Sequence, residues 1–147
     1  MSTSNEKRRD WMRQLALAGE GRLRAAWDAL DHVPSYSLLR GPETGLVMVR
    51  ARAGNTGRRF NLGEMSVTRC TVRLDCGTVG HAWVAGVKPD HARLAAAFDA
   101  LLQTAPADLE ERVLEPLRQA RQDQLARRRA EVEPTRVDFF TLVRGDE

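Results

Sequence analysis

The stretch from Gly45 to Val87 constrains this chain most, because it is the part that reads as β-sheet. Leu46–Ala51 is a short apolar run, Glu64–Leu74 a longer alternating one and Thr78–Val87 a third. Gly, Asn and Asp clusters separate them, and those residues supply the positive-φ and side-chain-bonded turns that reverse a chain. Upstream, Pro34 keeps its predecessor out of the α region, so Tyr36–Arg40 reads as a strand, closed by a turn at Gly41–Gly45. The expectation is an antiparallel sheet of about four strands. Leu46–Ala51 is apolar on both sides near its start, which predicts a central strand. In the next strand Thr68, Cys70, Val72 and Leu74 share one side and Val67, Arg69, Thr71 and Arg73 the other, a half-buried pattern. The last strand has a face of small residues, Gly80, Ala82, Val84 and Gly86. Small residues allow close approach of another backbone, and a helix packing over them is the reading taken here.

Helical periodicity flanks this block on both sides, and its apolar stripes need a sheet to cover, so the fold class is α+β. Trp11, Leu15 and Ala18 lie on one helical face and Leu23, Trp27 and Leu30 on another. The short turn at Gly19–Gly21 makes the two an N-terminal helical hairpin. Thr3 with Glu6, and Asp108 with Glu111, have the spacing of capping boxes, and Asp90 is the expected N-cap of the helix after the sheet. Leu94, Phe98, Leu101 and Leu102 form that helix's apolar stripe. Leu109, Val113, Leu114 and Leu117 continue a helical face in which Pro116 predicts a kink or a new helix start. Arg118–Arg129 is almost wholly polar, as in a helix that is solvated or bridges to another body. Trp11, Trp27, Trp83, Phe60 and Phe98 are the bulky pieces available to the core.

At 147 residues, one domain is expected, over 1–134, with residues 135–147 as a separate C-terminal arm. The net charge of +3 is the small difference between 23 basic and 20 acidic residues, too little to indicate a nucleic-acid partner. No N-terminal apolar segment suggests a secretory signal, and no run approaches the roughly 18 apolar residues of a membrane span. Two cysteines, Cys70 and Cys76, fit a reducing cytoplasm. His32, His81 and His91 are scattered singly, so neither a metal site, a cofactor nor a catalytic residue is expected. The most suggestive loop is Gly54–Gly63. Gly54 and Gly57 can turn backbone N–H groups inward around an anion, and Arg58 and Arg59 can add bidentate contacts. Without a Gly-Lys-Ser/Thr ending it is no nucleotide-binding P-loop. It reads as a hairpin tip with solvated arginines, and a stand-alone phosphate-binding enzyme using this loop is the alternative.

The C-terminal segment breaks the pattern. Arg136–Arg144 is strongly apolar and β-prone, yet it follows the most polar stretch of the chain. An apolar terminal strand left bare is an edge-pairing hazard, so Val137, Asp138, Phe139, Phe140, Leu142, Val143 and Arg144 are the expected partner-binding residues. Expressed alone, such an arm is expected to favour self-association.

This segment, Arg136 to Gly145, resembles the C-terminal signature of the PhnG subunit family of the bacterial carbon–phosphorus lyase system. The likeness continues in Arg8–Met12, Glu43–Val47, Gly54–Gly57, Thr68–Arg69, Val72–Leu74 and His91–Ala92, in family order over nearly the whole chain. Asn55 stands where the family loop carries a second glycine. The resemblance implies a subunit of the core complex that degrades organophosphonates. There it supports displacement of adenine from ATP by a phosphonate, giving ribose 1-methylphosphonate 5-triphosphate. It implies PhnI, PhnJ and PhnH as partners, with nucleosidase-type chemistry assigned chiefly to PhnI and radical carbon–phosphorus cleavage to PhnJ. Two cysteines are too few for a radical iron–sulfur cluster. The expected role is therefore that of a non-catalytic, assembly-forming subunit.

Overall fold

The computed structural model describes residues 2–54 and 56–133. The expected C-terminal arm lies outside these residues. Seven elements follow in order: α1 (Ser2–Leu17), α2 (Glu20–Asp28), β1 (Tyr36–Arg52), β2 (Arg59–Leu74), β3 (Val79–Ala85), α3 (Pro89–Leu102) and α4 (Ala107–Val132). The α+β expectation holds, but among the described residues the antiparallel sheet has three strands in the order β1-β2-β3. The missing fourth strand is accounted for at Gly41–Gly45, where a turn was expected. Instead the chain runs straight on, and the bulge leaves Gly41 and Pro42 between the pairs Arg40–Thr71 and Glu43–Arg69. Proline cannot donate to a ladder, but an edge strand with a bulge tolerates it. β1 is such an edge, which also corrects the central position expected for Leu46–Ala51.

The helices cover one side of the sheet. Thr68, Cys70, Val72 and Leu74 of β2 and Ala82 and Val84 of β3 are buried there, with nearly all of α3. The small-residue side of β3 does receive a helix: a Cβ on Gly80 would run into the Ala96 carbonyl and the Ala100 amide of α3. Trp27 packs edge-on against Phe98, with centroids 5.0 Å apart, and against Tyr36 at 5.9 Å. Ion pairs tie α4 back to α1 and to the turn after α2, Arg118 to Asp10 at 3.1 Å and Arg112 to Asp31 at 3.2 Å.

Helix ends differ in detail from expectation. α1 begins at Ser2, so Thr3 lies within it. Lys88 precedes α3 and Pro89 takes its first turn, so Asp90 sits inside the helix, bonded to Arg93 at 2.8 Å. Pro106 precedes α4, and the helix runs unbroken through Pro116. Pro89 and Pro106 suit these places because their fixed φ matches a helix start, where a missing N–H costs nothing.

Candidate partner-binding surface

Lengths decide which part of the sheet is left bare. The 14-residue α3 spans about 21 Å, whereas the 16 residues of β2 span about 53 Å. A helix layer of that reach covers the Leu74 end and leaves the far half of the β1–β2 hairpin uncovered. Leu46 is accordingly 66% exposed, Met48 52% and Phe60 44%. Phe60 and Trp83, expected in the core, are both outside it. Trp83 is 55% exposed because it points opposite to Ala82 and Val84.

The outer side of the sheet carries one apolar stripe. Pairing sets Trp83 beside Arg69, Ala85 beside Val67, Val47 beside Met65, Val49 beside Gly63 and Ala51 beside Phe60. Directly opposed residues share a face, so these rows form one band from Trp83 to Phe60. At its base Arg69 donates through Nε and Nη2 to Glu43 Oε2, at 3.1 and 2.9 Å, and lies 5.8 Å over the Trp83 ring. That sets a cation against the exposed indole. An ordinary solvated sheet face alternates with polar residues. This one becomes more apolar toward its free end.

The tip is basic. Arg50 and Arg52 of β1 and Arg58 and Arg59 after the loop gather there, with Arg52 directly opposite Arg59. Among the described residues none of the four makes an ion pair. The loop is thus the hairpin tip that the sequence suggested. Gly54 supplies its positive φ of 64°, and the Gly57 N–H donates back to the Ala53 carbonyl at 3.1 Å. That donor is turned to its own chain. Val137, Asp138, Phe139, Phe140, Leu142, Val143 and Arg144 lie outside the described residues.

Sequence reasoning missed the buried Asp99 and, for Thr68, the partners that its burial requires. Asp99 is fully buried and accepts from Arg8 Nε and Nη2 at 3.2 and 2.8 Å, Trp11 Nε1 at 2.9 Å and the His81 N–H at 2.9 Å. Its carboxylate holds the Arg8 pKa above the ordinary arginine value. Thr68 donates to the Gly86 carbonyl at 2.7 Å and accepts from the Lys88 N–H at 2.9 Å, with Thr44 Oγ1 also 2.9 Å away. It thereby fixes the bend into α3. Neither set of partners had a signal in one-dimensional spacing, because they are 18 or more residues away.

A groove of about 430 Å³ lies between α1 and β3, lined by Arg8, Arg9, Met12, Arg13, His81 and Trp83. Arg8 is committed to Asp99, and His91, buried against α1, donates through Nε2 to the Leu15 carbonyl at 2.9 Å. His81 lies 3.1 Å from the Thr71 hydroxyl on the outer face. The three histidines are not gathered, and among the described residues no three His, Cys, Asp or Glu side chains are placed to hold a metal ion. Cys70 and Cys76 are free thiols. Among the described residues no helix is long and apolar enough to cross a membrane.

What stands out is therefore a surface shaped for contact: an apolar sheet face, a protruding hairpin and a basic tip. Residues 6–145 match the family model described as phosphonate metabolism protein PhnG. A protein of Rhizobium meliloti (strain 1021) named alpha-D-ribose 1-methylphosphonate 5-triphosphate synthase subunit PhnG is 51% identical over 142 residues, covering 96% of this chain and 91% of that one. The resemblance read from the sequence is confirmed by both matches, and with it the place in phosphonate metabolism. The chain belongs to the PhnG family of phosphonate metabolism proteins.

Proposed function

We propose that this chain is a non-catalytic subunit of the cytoplasmic assembly that transfers the ribosyl triphosphate of ATP to a phosphonate, giving ribose 1-methylphosphonate 5-triphosphate. Its expected companions are PhnI, PhnJ and PhnH. The observation that carries this reading is the bare apolar band from Trp83 to Phe60, on a chain half-identical to a subunit of that synthase. Exposed apolar surface of this extent marks an interaction site. The reducing cytoplasm is supported by the two free thiols. The tail residues Val137, Asp138, Phe139, Phe140, Leu142, Val143 and Arg144 are proposed as a second contact, on the strength of their apolar, β-prone composition.

Two experiments test the reading. Deleting residues 137–147 is expected to abolish co-purification with the companion subunits and to leave the cooperative unfolding of the isolated chain intact. Undiminished assembly after the deletion counts against the tail as a contact. The isolated chain, given ATP and methylphosphonate, is expected to turn over neither. Turnover lost in Arg58→Ala would instead establish the Gly54–Arg59 loop as a phosphate site of an enzyme acting alone.

A further inference from the structure

The two edges of the sheet are finished differently. Along β3, the His81 N–H donates to Asp99 Oδ2 at 2.9 Å, and the Val79 carbonyl accepts from Gln103 Nε2 at 2.8 Å. Side chains of α3 and its C-cap thus occupy that edge. The first half of β1 is blunted as well, by Pro42, by bulges before Arg40 and Glu43 and by the Arg40–Glu43 pair at 3.8 Å. These are the usual protections of an edge strand. From Leu46 to Arg52 they stop. The one irregularity there leaves Leu62 extra on β2, not on β1.

Alternation identifies the groups left over. The His81 N–H points away from β2, so the odd residues of β3 face outward and Thr68, Cys70 and Val72 of β2 bond toward β3. Val67, Met65 and Gly63 then bond toward β1, to Gly45, Val47 and Val49. The backbone N–H and C=O groups of Leu46, Met48 and Arg50 are directed to the edge that no strand among the described residues covers. Beside them lie the apolar row of Val47 and Val49 and the four arginines that make no ion pair among the described residues. Arg52 opposite Arg59 is a like-charge pair, unfavourable until an anion joins it.

We propose that the Leu46–Arg52 edge of β1 accepts an extended strand from a companion subunit. The strand carries apolar residues on the side of Val47 and Val49 and carboxylates beside Arg50 and Arg52. Main-chain hydrogen bonds to Leu46, Met48 and Arg50 hold it, and its side chains extend the outer apolar band by one strand. A polypeptide is required by the apolar row, which a free anion would not cover. A second copy of this chain fits less well, because pairing two hairpins doubles the arginine excess against one Glu64 from each. The inference rests on the proposed subunit role.

Met48→Pro is the direct test. It removes an N–H from the free edge and leaves the bonds of Gly45, Val47 and Val49 to β2 in place. Met48→Thr is the control that keeps the N–H. Each full-length variant is co-expressed with tagged PhnI, PhnJ and PhnH. Met48→Thr is expected to be captured like the unaltered chain, and Met48→Pro about tenfold less or worse, with an unchanged unfolding midpoint for the isolated protein. If Met48→Pro fails to fold, Arg50→Glu combined with Arg52→Glu decides, with the same loss expected. Normal capture of a folded Met48→Pro, or of the double arginine variant where that one decides, overturns the strand proposal and leaves the subunit role standing. Absence of capture for the unaltered chain overturns both. An isolated chain that is dimeric, and that Met48→Pro makes monomeric without affecting capture, replaces the companion strand with a second copy. Amide exchange at Leu46–Arg52 that is slow in the free chain and quickens when 137–147 are deleted replaces it with the chain's own tail.

Discussion

Asp99 has no exposed surface, and a buried carboxylate is tolerated only where donors replace its lost water. Three residues on two separate elements supply them: Arg8 and Trp11 from α1 and the backbone of His81 from β3. The residue therefore works as a clasp and not as a reactive group, since its oxygens already face four donors. Asp99→Ala strands the Trp11 and His81 N–H groups and half-releases α1. The expected cost is about 3 kcal/mol by urea unfolding, seen as a fall of roughly 6–12 °C in the thermal midpoint. A change well below 1 kcal/mol would show that the clasp contributes little. Gly80→Ala acts on the same layer, because its new methyl meets the α3 backbone, and a loss of about 1–3 kcal/mol is expected in the same assay. The two thiols make a contrasting pair. Burial pushes the Cys70 thiol up, and its sulfur is directed at the Arg40 carbonyl at 3.4 Å. Hydrogen bonding to Thr78 pulls the exposed Cys76 thiol down, so more of it is thiolate at neutral pH than in a free cysteine. Brief iodoacetamide treatment of the native protein, read by peptide mass spectrometry, is expected to label Cys76 alone. Its rate should rise with pH over a lower range than that of the unfolded chain, and Cys70 should react only after denaturation.

At the scale of elements, the β1–β2 hairpin is the part that one-dimensional reading handled least well. The even-numbered inner side of β2 was legible, since Thr68, Cys70, Val72 and Leu74 alternate strictly and all are buried. The helical stripes of Trp11 with Leu15, Leu23 with Trp27, and Leu94 with Phe98 were legible for the same reason. The strand count was not. Gly41-Pro42 carries the chemistry of a turn, and only the long partner β2 forces the chain to bulge there and continue. Nor did the sequence reveal that α3 stops short of the hairpin's far end, a matter of relative length and not of composition. Apolar residues on both sides of Leu46–Ala51 suggested burial in this chain. Instead the helix layer does not reach them or Phe60, and Trp83 points away from it, which is why Phe60 and Trp83 failed as core residues. Phe60→Ser, at an exposed position, is thus expected to shift the stability of the isolated chain by no more than about 0.5 kcal/mol, and Val49→Thr, half-buried outside the core, by no more than about 1 kcal/mol. Both should weaken capture by companion subunits. In α4 an unbroken helix passes through Pro116, which lacks the N–H for its ladder. Pro116→Ala is expected to raise the unfolding midpoint, measured by circular dichroism at 222 nm (the ordinary helix band).

At the scale of the whole molecule, the helices pack on one side of a three-stranded sheet, around a core of Leu, Val, Ala and a few aromatic rings. The opposite side, with the hairpin beyond it, contributes nothing to that core. Two kinds of surface follow from this division. The groove between α1 and β3 is bounded by groups already engaged in holding the fold, notably Arg8. The outer band from Trp83 to Phe60 lies outside the core, with the Arg69 guanidinium over the Trp83 ring at its base. The subunit role proposed above has this chain fold with its helices and bind with its sheet. Amide hydrogen exchange, compared between the isolated chain and the chain assembled with its companion subunits, tests that claim most directly. Assembly is predicted to slow exchange strongly over residues 46–65 and to leave α3 nearly as it was. Identical hairpin exchange in the two states would contradict the account.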